Sequence, residues 1–414
     1  MVVTKKKYWL YILPHIYCCI KEMQALLYNT QTGENMETCI PEILELLHSL
    51  HEKKNLGCIL CEGKMLEVEP YHLFLIEFCK KGMGNISNVE QMPENPIQLM
   101  PVLNLQRDVE RMQKEEERFI GEDVLRYLFE VNIYLNNNCM QDCPFCSDYF
   151  RQSLCCTKNK TGGQQEEMTL SMFQNILSQI RYGNIGKINL LGGNLLKYSY
   201  YRDFENLLSE YGEQIHIWVH YANYMNTISI ASNFQYDISI TFPVNETAWN
   251  HCVTLLKDKQ VKYHFLITGM DDYEAADKLI ASYKLTKYSI HPVYTKQNQV
   301  FFEENIYTNR EEIFQSKSSF RQIFARQKLN TWFFGSLTIF PDGSIYANVN
   351  NPVLGNIEND KLINIVEKEM IENTAWRKIR DKEPCDSCLY QYLCPSPSNY
   401  ELVIKKPNLC TLNK

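Results

Sequence analysis

The stretch Val131-Asn132-Ile133-Tyr134-Leu135-Asn136-Asn137-Asn138-Cys139-Met140-Gln141-Asp142-Cys143-Pro144-Phe145-Cys146 governs how the rest of this 414-residue chain is read. Its first five residues, β-branched, aromatic and aliphatic around a single Asn, predict a strand, Val131–Leu135. The loop that follows carries Cys139, Cys143 and Cys146. Three thiolates on one tight loop suit three irons of a [4Fe–4S] cube and leave the fourth iron open, unlike a four-cysteine electron-transfer site; a zinc-binding or merely hydrophobic loop is the other reading.

Downstream of this loop, short apolar strands alternate with helical patterns. Strands are predicted at Lys187–Leu191, Ile215–His220, Asp237–Phe242, Tyr263–Thr268 and Tyr288–Val293, with helices near 167–182, 198–211, 246–258 and 271–282. Strand–helix alternation implies a parallel sheet with right-handed crossovers. Six β/α units from 125 to 330 give the expected fold class, α/β, with a partial (β/α)6 TIM-type barrel and chemistry at the strand C-terminal ends.

Composition bounds the alternatives. Hydrophobic residues at 45% and charged residues at 22% describe a folded protein rather than a disordered one. A net charge of −7 argues against a nucleic-acid partner, which needs a basic face. Lys5–Lys7 precede an apolar run, but Pro14 and His15 interrupt it, so a strand over Tyr8–Ile20 is expected rather than a signal peptide. The absence of any stretch of eighteen apolar residues argues against a membrane partner. Sixteen cysteines without an export signal point to metal or cluster ligation in a reducing, cytoplasmic setting.

The three-cysteine spacing, Phe145 just before the last cysteine, and the placement after the first strand resemble the radical S-adenosylmethionine (SAM) family. The resemblance implies that the open iron binds SAM and that an electron from the cluster releases a 5′-deoxyadenosyl radical. At the end of the second strand the family places Gly-Gly-Glu against the methionine ammonium of SAM; here the residues are Gly192, Gly193 and Asn194. Asn194 keeps a carbonyl acceptor and loses the charge, which weakens a charge-assisted bond. Ser239 and Thr241 share one face of the fourth strand, where relatives contact the SAM ribose; ordinary β-propensity explains them equally well. The implied cofactor-binding set is Phe145, Gly192, Gly193, Asn194, Ser239 and Thr241, and no catalytic residue is assigned.

A second group, Cys385, Cys388, Cys394 and Cys410, places four thiolates within 26 positions. Such spacing satisfies a closed zinc site or a [4Fe–4S] cluster alike. Residues 331–414 resemble the SPASM domain of radical SAM peptide maturases, which implies an auxiliary [4Fe–4S] cluster on these four. In that family the hairpin like Phe340-Pro341-Asp342-Gly343-Ser344-Ile345-Tyr346 ends in a cysteine, here Asn348, and a further ligand falls at Ser398. Both belong to the first of two auxiliary clusters, so one is missing whole and the other kept. Cys394-Pro395-Ser396-Pro397-Ser398-Asn399-Tyr400-Glu401 and Pro407-Asn408-Leu409-Cys410 further resemble a subgroup accompanying Gly-Gly-leader (GG-type) precursors. Many of its members are called pseudo-radical-SAM proteins because their first motif is degraded; here it is intact.

Residues 1–95 read as strand, strand, turn at Gln31-Thr32-Gly33-Glu34, strand, helix Glu42–Glu52, small strand and second helix. That order matches a winged helix and resembles the peptide-recognition element fused to many maturases, implying capture of a leader peptide by strand addition. Residues 96–124 read as a linker. Together these resemblances imply a radical SAM/SPASM-type iron–sulfur protein acting in maturation of a ribosomally synthesised peptide (RiPP), with a precursor peptide and a companion radical SAM maturase as partners. The alternative is a catalytically degenerate partner that binds peptide and cluster without SAM turnover, which Asn194 favours. The remaining cysteines, among them Cys155 and Cys156, are expected to pack as small hydrophobes.

Overall fold

The computed structural model describes residues 6–97, 109–112, 114, 125–158, 167–181, 183–226 and 234–412. The chain is a mixed α/β protein built on a large, mostly parallel sheet. Six strands, β7 (Glu130–Tyr134), β8 (Lys187–Leu191), β9 (Ile215–His220), β10 (Gln235–Ile240), β11 (Gln260–Ile267) and β12 (Tyr288–Pro292), lie side by side in chain order and pair in parallel. Strand β13 (Ser336–Ile339) extends the sheet in parallel beside β7, and β14 (Ser344–Tyr346) and β15 (Gly355–Asn356) follow antiparallel. The sequence predicts the six strands; the addition of β13 to β7 rests on a non-local pairing that no local pattern encodes. In the β13–β14 turn, Gly343 sits at φ +80°, and a Cβ there would lie 2.6 Å from Asn356 Oδ1.

The helices Leu170–Ile180, Glu246–Leu255 and Met270–Tyr283 match expectation within a few residues, whereas 198–211 forms 3-10 turns and one short helix, Phe204–Leu207. Tyr198, Tyr200 and Tyr201 around that segment lower its helix propensity. Alternate strand residues divide by face. Val131, Ile133, Leu190, Ile217, Val219, Ile238, Ile240 and Phe265 are buried in one cluster with Phe173, Ile176, Trp249 and Cys252 from the helices.

The opposite face is polar and hydrogen-bonded across the strands. Asn132 Nδ2 donates to Thr338 Oγ1 at 3.3 Å, Asn189 Nδ2 to Asn132 Oδ1 at 2.7 Å, and Trp218 Nε1 to Asn189 Oδ1 at 2.8 Å. The Trp218 ring lies 4.4 Å from that of His264. Asp237 sits between His216 Nδ1 and His264 Nε2, both at 2.7 Å, and His264 Nδ1 is 3.0 Å from His291 Nε2. Burial disfavours ionisation of Asp237, yet the two imidazoles hold its carboxyl well below the usual carboxylate range.

The N-terminal region forms two three-stranded sheets. One has the order β5 (Cys58–Glu62), β1 (Lys7–Ile12), β6 (Gly84–Asn88), and the other β2 (Ile16–Lys21), β3 (Gln24–Asn29), β4 (Asn35–Thr38). The predicted strand Tyr8–Ile20 is therefore two strands, broken where Pro14 cannot donate to a ladder. The helices Pro41–His51 and Tyr71–Lys80 pack Leu46, Leu47, Leu50, Phe74 and Phe78 against Leu10, Ile12 and Leu27. The second sheet reaches the C-terminal region: Tyr17, Cys19, Leu26 and Tyr28 cluster with Ile313, Ile323, Leu389 and Leu393. Lys21 Nζ donates to Asp386 O at 2.6 Å and Gln391 Oε1 at 2.9 Å. Most of the expected linker, 96–124, lies outside the described residues; Val109 within it is buried against the main sheet's core.

Replacing Asp237 with Asn leaves buried His264 and half-buried His216 without their anionic acceptor, so Asp237→Asn should cost about 3 kcal/mol in urea denaturation at pH 7. Burial also lowers the His291 pKa to about 4. The unfolded chain takes that proton near pH 6.5 and the folded chain does not. Stability should therefore fall as pH drops from about 6.5 towards 4, read as a falling urea midpoint.

Candidate functional site

The cysteine loop leaves the C-terminal end of β7, and its root is fixed by close packing. A Cβ at Gly192 would lie 2.7 Å from Asn136 Oδ1, and one at Gly193 would lie 2.8 Å from the backbone of Asn137 and Asn138. Gly193 N donates to Asn136 O at 3.0 Å, and Asn136 Nδ2 donates to Asn194 O at 3.0 Å. The two glycines thus seat the loop on the end of β8. Asn194 is buried and its Oδ1 accepts from Leu196 N at 3.2 Å, capping the turn Leu195–Lys197.

Beyond this root, Cys139, Cys143 and Cys146 line one pocket of about 310 Å³ that is open to solvent, together with Gln141, Tyr149, Cys155, Cys156, Thr157, Lys158, His220 and Thr241. Gln141 N donates to Cys139 Sγ at 3.5 Å, and Thr157 Oγ1 lies 3.9 Å from Cys146 Sγ. Burial and the neighbouring Cys155 push the Cys143 thiol up to about 12, and burial raises that of Cys139. His220 is neutral, its pKa lowered to about 4 by burial. Its Nδ1 accepts from Ala222 N at 3.3 Å, which leaves Nε2 to donate to Thr241 Oγ1 at 3.0 Å. The Thr241 hydroxyl is then free to donate to Cys143 Sγ, 4.0 Å away.

A second, wider cleft of about 870 Å³ adjoins the first. It shares Gln141, Cys143, His220 and Thr241 with it and adds Asp142, Pro144, Tyr221, Phe242, Pro243 and Asn245. Of the sequence-predicted site residues, the structure brings Thr241 and the three loop cysteines together. Phe145, Gly192, Gly193, Asn194 and Ser239 line neither space; Phe145 packs against Tyr149, and Ser239 is fully buried on β10. Sequence reasoning missed His220, Thr157 and Lys158, and assigned Cys155 and Cys156 to packing. His220 ends a predicted strand on its polar side, and the cysteine pair follows the loop by nine residues. Both signals were present.

At the C-terminus, Cys385, Cys388, Cys394 and Cys410 ring a cavity of about 430 Å³ with Thr308, Arg380, Gln391 and Asn408. Leu412 N donates to Cys410 Sγ at 3.3 Å and Asn408 Nδ2 to Cys385 Sγ at 3.7 Å. Burial pushes Cys394 up to about 12, opposed by Arg380, whose guanidinium pairs with Glu401 at 2.7 Å. The donor set fits an iron–sulfur group: each thiol ring is met by N–H or O–H donors that would stabilise thiolates. Among the described residues, no three His, Cys, Asp or Glu side chains converge on a point that would hold a single metal ion. Asn348 and Ser398 are engaged otherwise. Asn348 Nδ2 donates to Asn399 Oδ1 at 2.7 Å, and Ser398 caps the helix Asn399–Ile404 in a capping box with Glu401.

Neither a scan of protein-family profiles nor a search of curated proteins finds a match to this chain. Among solved structures, Streptococcus suis SuiB is similar over 97% of this chain and 100% of its own, at TM-score 0.46 and 13% identity. A structure of SuiB bound to S-adenosylmethionine covers 97% of this chain and 99% of its own, at TM-score 0.48 and 10% identity.

Two thiol cavities predict about eight irons per chain after anaerobic reconstitution, falling to about four in Cys139→Ala/Cys143→Ala/Cys146→Ala. Metal analysis finding zinc rather than iron at the C-terminal cysteines would exclude an auxiliary cluster there.

Proposed function

We propose that this chain is a radical SAM/SPASM-type iron–sulfur protein of peptide maturation. The observation that carries this reading is the thiol cavity at the C-terminal end of the parallel strands, opening beside a larger cleft through Cys143, His220 and Thr241. Chemistry at that end of a parallel sheet is what a partial (β/α)6 barrel provides. In this proposal Cys139, Cys143 and Cys146 hold the first cluster and Cys385, Cys388, Cys394 and Cys410 the auxiliary one. Such a cluster with SAM supplies a 5′-deoxyadenosyl radical. The protein's part is to seat SAM in the wider cleft, with Thr241 positioned beside Cys143. Residues 1–95 serve as the peptide-recognition unit, 125–330 as the barrel and 331–414 as the SPASM-like region. All sixteen cysteines are free, which supports work in a reducing compartment, the cytoplasm. Among the described residues, no helix is long and apolar enough to cross a membrane.

A second proposal has one specific observation in its favour. Asn194 is neutral, and its side-chain oxygen is already used by Leu196 N. That favours a partner of the pseudo-radical-SAM, Gly-Gly-leader kind, which binds precursor and cluster beside a companion maturase without turning over SAM.

One assay separates the two. Dithionite-reduced protein is incubated with SAM and 5′-deoxyadenosine is measured by chromatography, with Cys143→Ala as the blank. Product above the blank is expected of the enzyme, and blank-level product from fully loaded protein leaves the partner role. Peptide recognition is checked separately by titrating the full chain with a precursor leader in a calorimeter. Absence of heat at micromolar protein would remove the recognition role.

A further inference from the structure

The thiol cavity contains two cysteines beyond the loop motif. Cys155 and Cys156 are adjacent in sequence and buried, their sulfurs 3.9 Å apart, and both line the space that Cys139, Cys143 and Cys146 enclose. Successive side chains usually point apart, so a pair facing one cavity reflects a fixed backbone. Tyr134 Oη donates to Cys155 O at 2.9 Å from the polar face of β7. On the other side, Lys158 Nζ donates to Gln141 O at 3.1 Å and meets Asp142 Oδ1 at 3.2 Å. Thr157 stands 3.9 Å from Cys146 Sγ. Segment 155–158 is thereby strapped across the cysteine loop, and it brings its own thiols to the loop's cavity. Cys155 and Cys156 also pack in one apolar cluster with Cys143 and Phe145.

We propose that one thiolate of the pair Cys155–Cys156 supplies the fourth ligand to the cluster held by Cys139, Cys143 and Cys146, occupying the iron that SAM would otherwise take. This inference rests on the cluster reading above. Ligation would transfer no electron: the thiol would release its proton to solvent as its sulfur took the iron's open position in place of water. A thiol tethered in the same cavity acts at an effective concentration on the order of millimolar. Free SAM must displace it, entering from the wider cleft beside Cys143. The resting protein then carries a closed cube, and SAM access becomes a ligand-exchange step.

The test uses the reconstituted full chain and mild ferricyanide oxidation, followed by electron paramagnetic resonance and iron analysis. A cube with an open iron loses that iron to mild oxidation far more readily than a cube closed by four thiolates, and then gives a [3Fe–4S] signal. The wild type should stay silent and keep its iron. Cys155→Ser/Cys156→Ser should give the signal and lose about one iron per chain. SAM should change the spectrum of the reduced double variant at lower concentration than it changes that of the wild type, where the thiolate must first be displaced. The C-terminal cysteines contribute the same background to every arm. A wild type that develops the [3Fe–4S] signal overturns the proposal without touching the cluster reading, and so does a double variant as silent as the wild type. Should the double variant fold poorly, Cys155→Ala and Cys156→Ala are measured singly, and the wild-type result decides by itself. Iron in the wild type no higher than in Cys139→Ala/Cys143→Ala/Cys146→Ala removes both the cluster reading and this inference.

Discussion

Paired polar groups on the face of the sheet opposite its apolar core are the constraint on which this structure depends. From Thr338 on β13 through Asn132, Asn189 and Trp218, and from His216 through Asp237 to His264 and His291, hydrogen bonds and one ring contact connect seven neighbouring strands. Buried polar groups are tolerated only when satisfied. A strand shifted by one residue would turn its share of this belt into the apolar face, beneath the helices. Register is thus set twice, by what must be dry on one side and by what must be bonded on the other. The strand ends are held in line as a result, and the thiol cavity sits on those ends.

Most of the sheet was legible because its strands are short runs rich in β-branched, aromatic and aliphatic residues lying between helical patterns. Ile215–His220 and Lys187–Leu191 agree with expectation to the residue. What escaped was everything decided by distant pairing. β13 lies more than two hundred positions from its partner β7, and β6 returns to β1 after two helices. Pro14 was legible as an interruption, but its effect, sending β1 and β2 to different sheets, depends on what each half meets.

The site divides in the same way. Cysteine spacing picked out two groups, and each lines a single cavity. The glycines after β8 were legible as a point of close approach, while the neighbour that approaches is the cysteine loop's own root. Asn194 reads as a weakened ligand in sequence and serves as a local cap in space. Spacing cannot reveal that Cys155 and Cys156 turn inward, since that follows from Tyr134 and Lys158 holding the segment at both sides. Asn348 and Ser398 show the converse: positions where the resemblance would place thiolates are filled by amide and hydroxyl bonds.

The contact between the β2–β3–β4 sheet and the cysteine-rich region has a consequence for how the chain is made. Tyr17, Cys19, Leu26 and Tyr28 leave the ribosome more than 350 positions ahead of Leu389 and Leu393, against which they close. Lys21 likewise waits for Asp386 and Gln391. Until those partners emerge, that sheet presents an uncovered apolar side, the kind of surface that chaperones hold and that aggregates capture. Assembly of the region around Cys385, Cys388 and Cys394 and completion of the N-terminal fold are therefore coupled events.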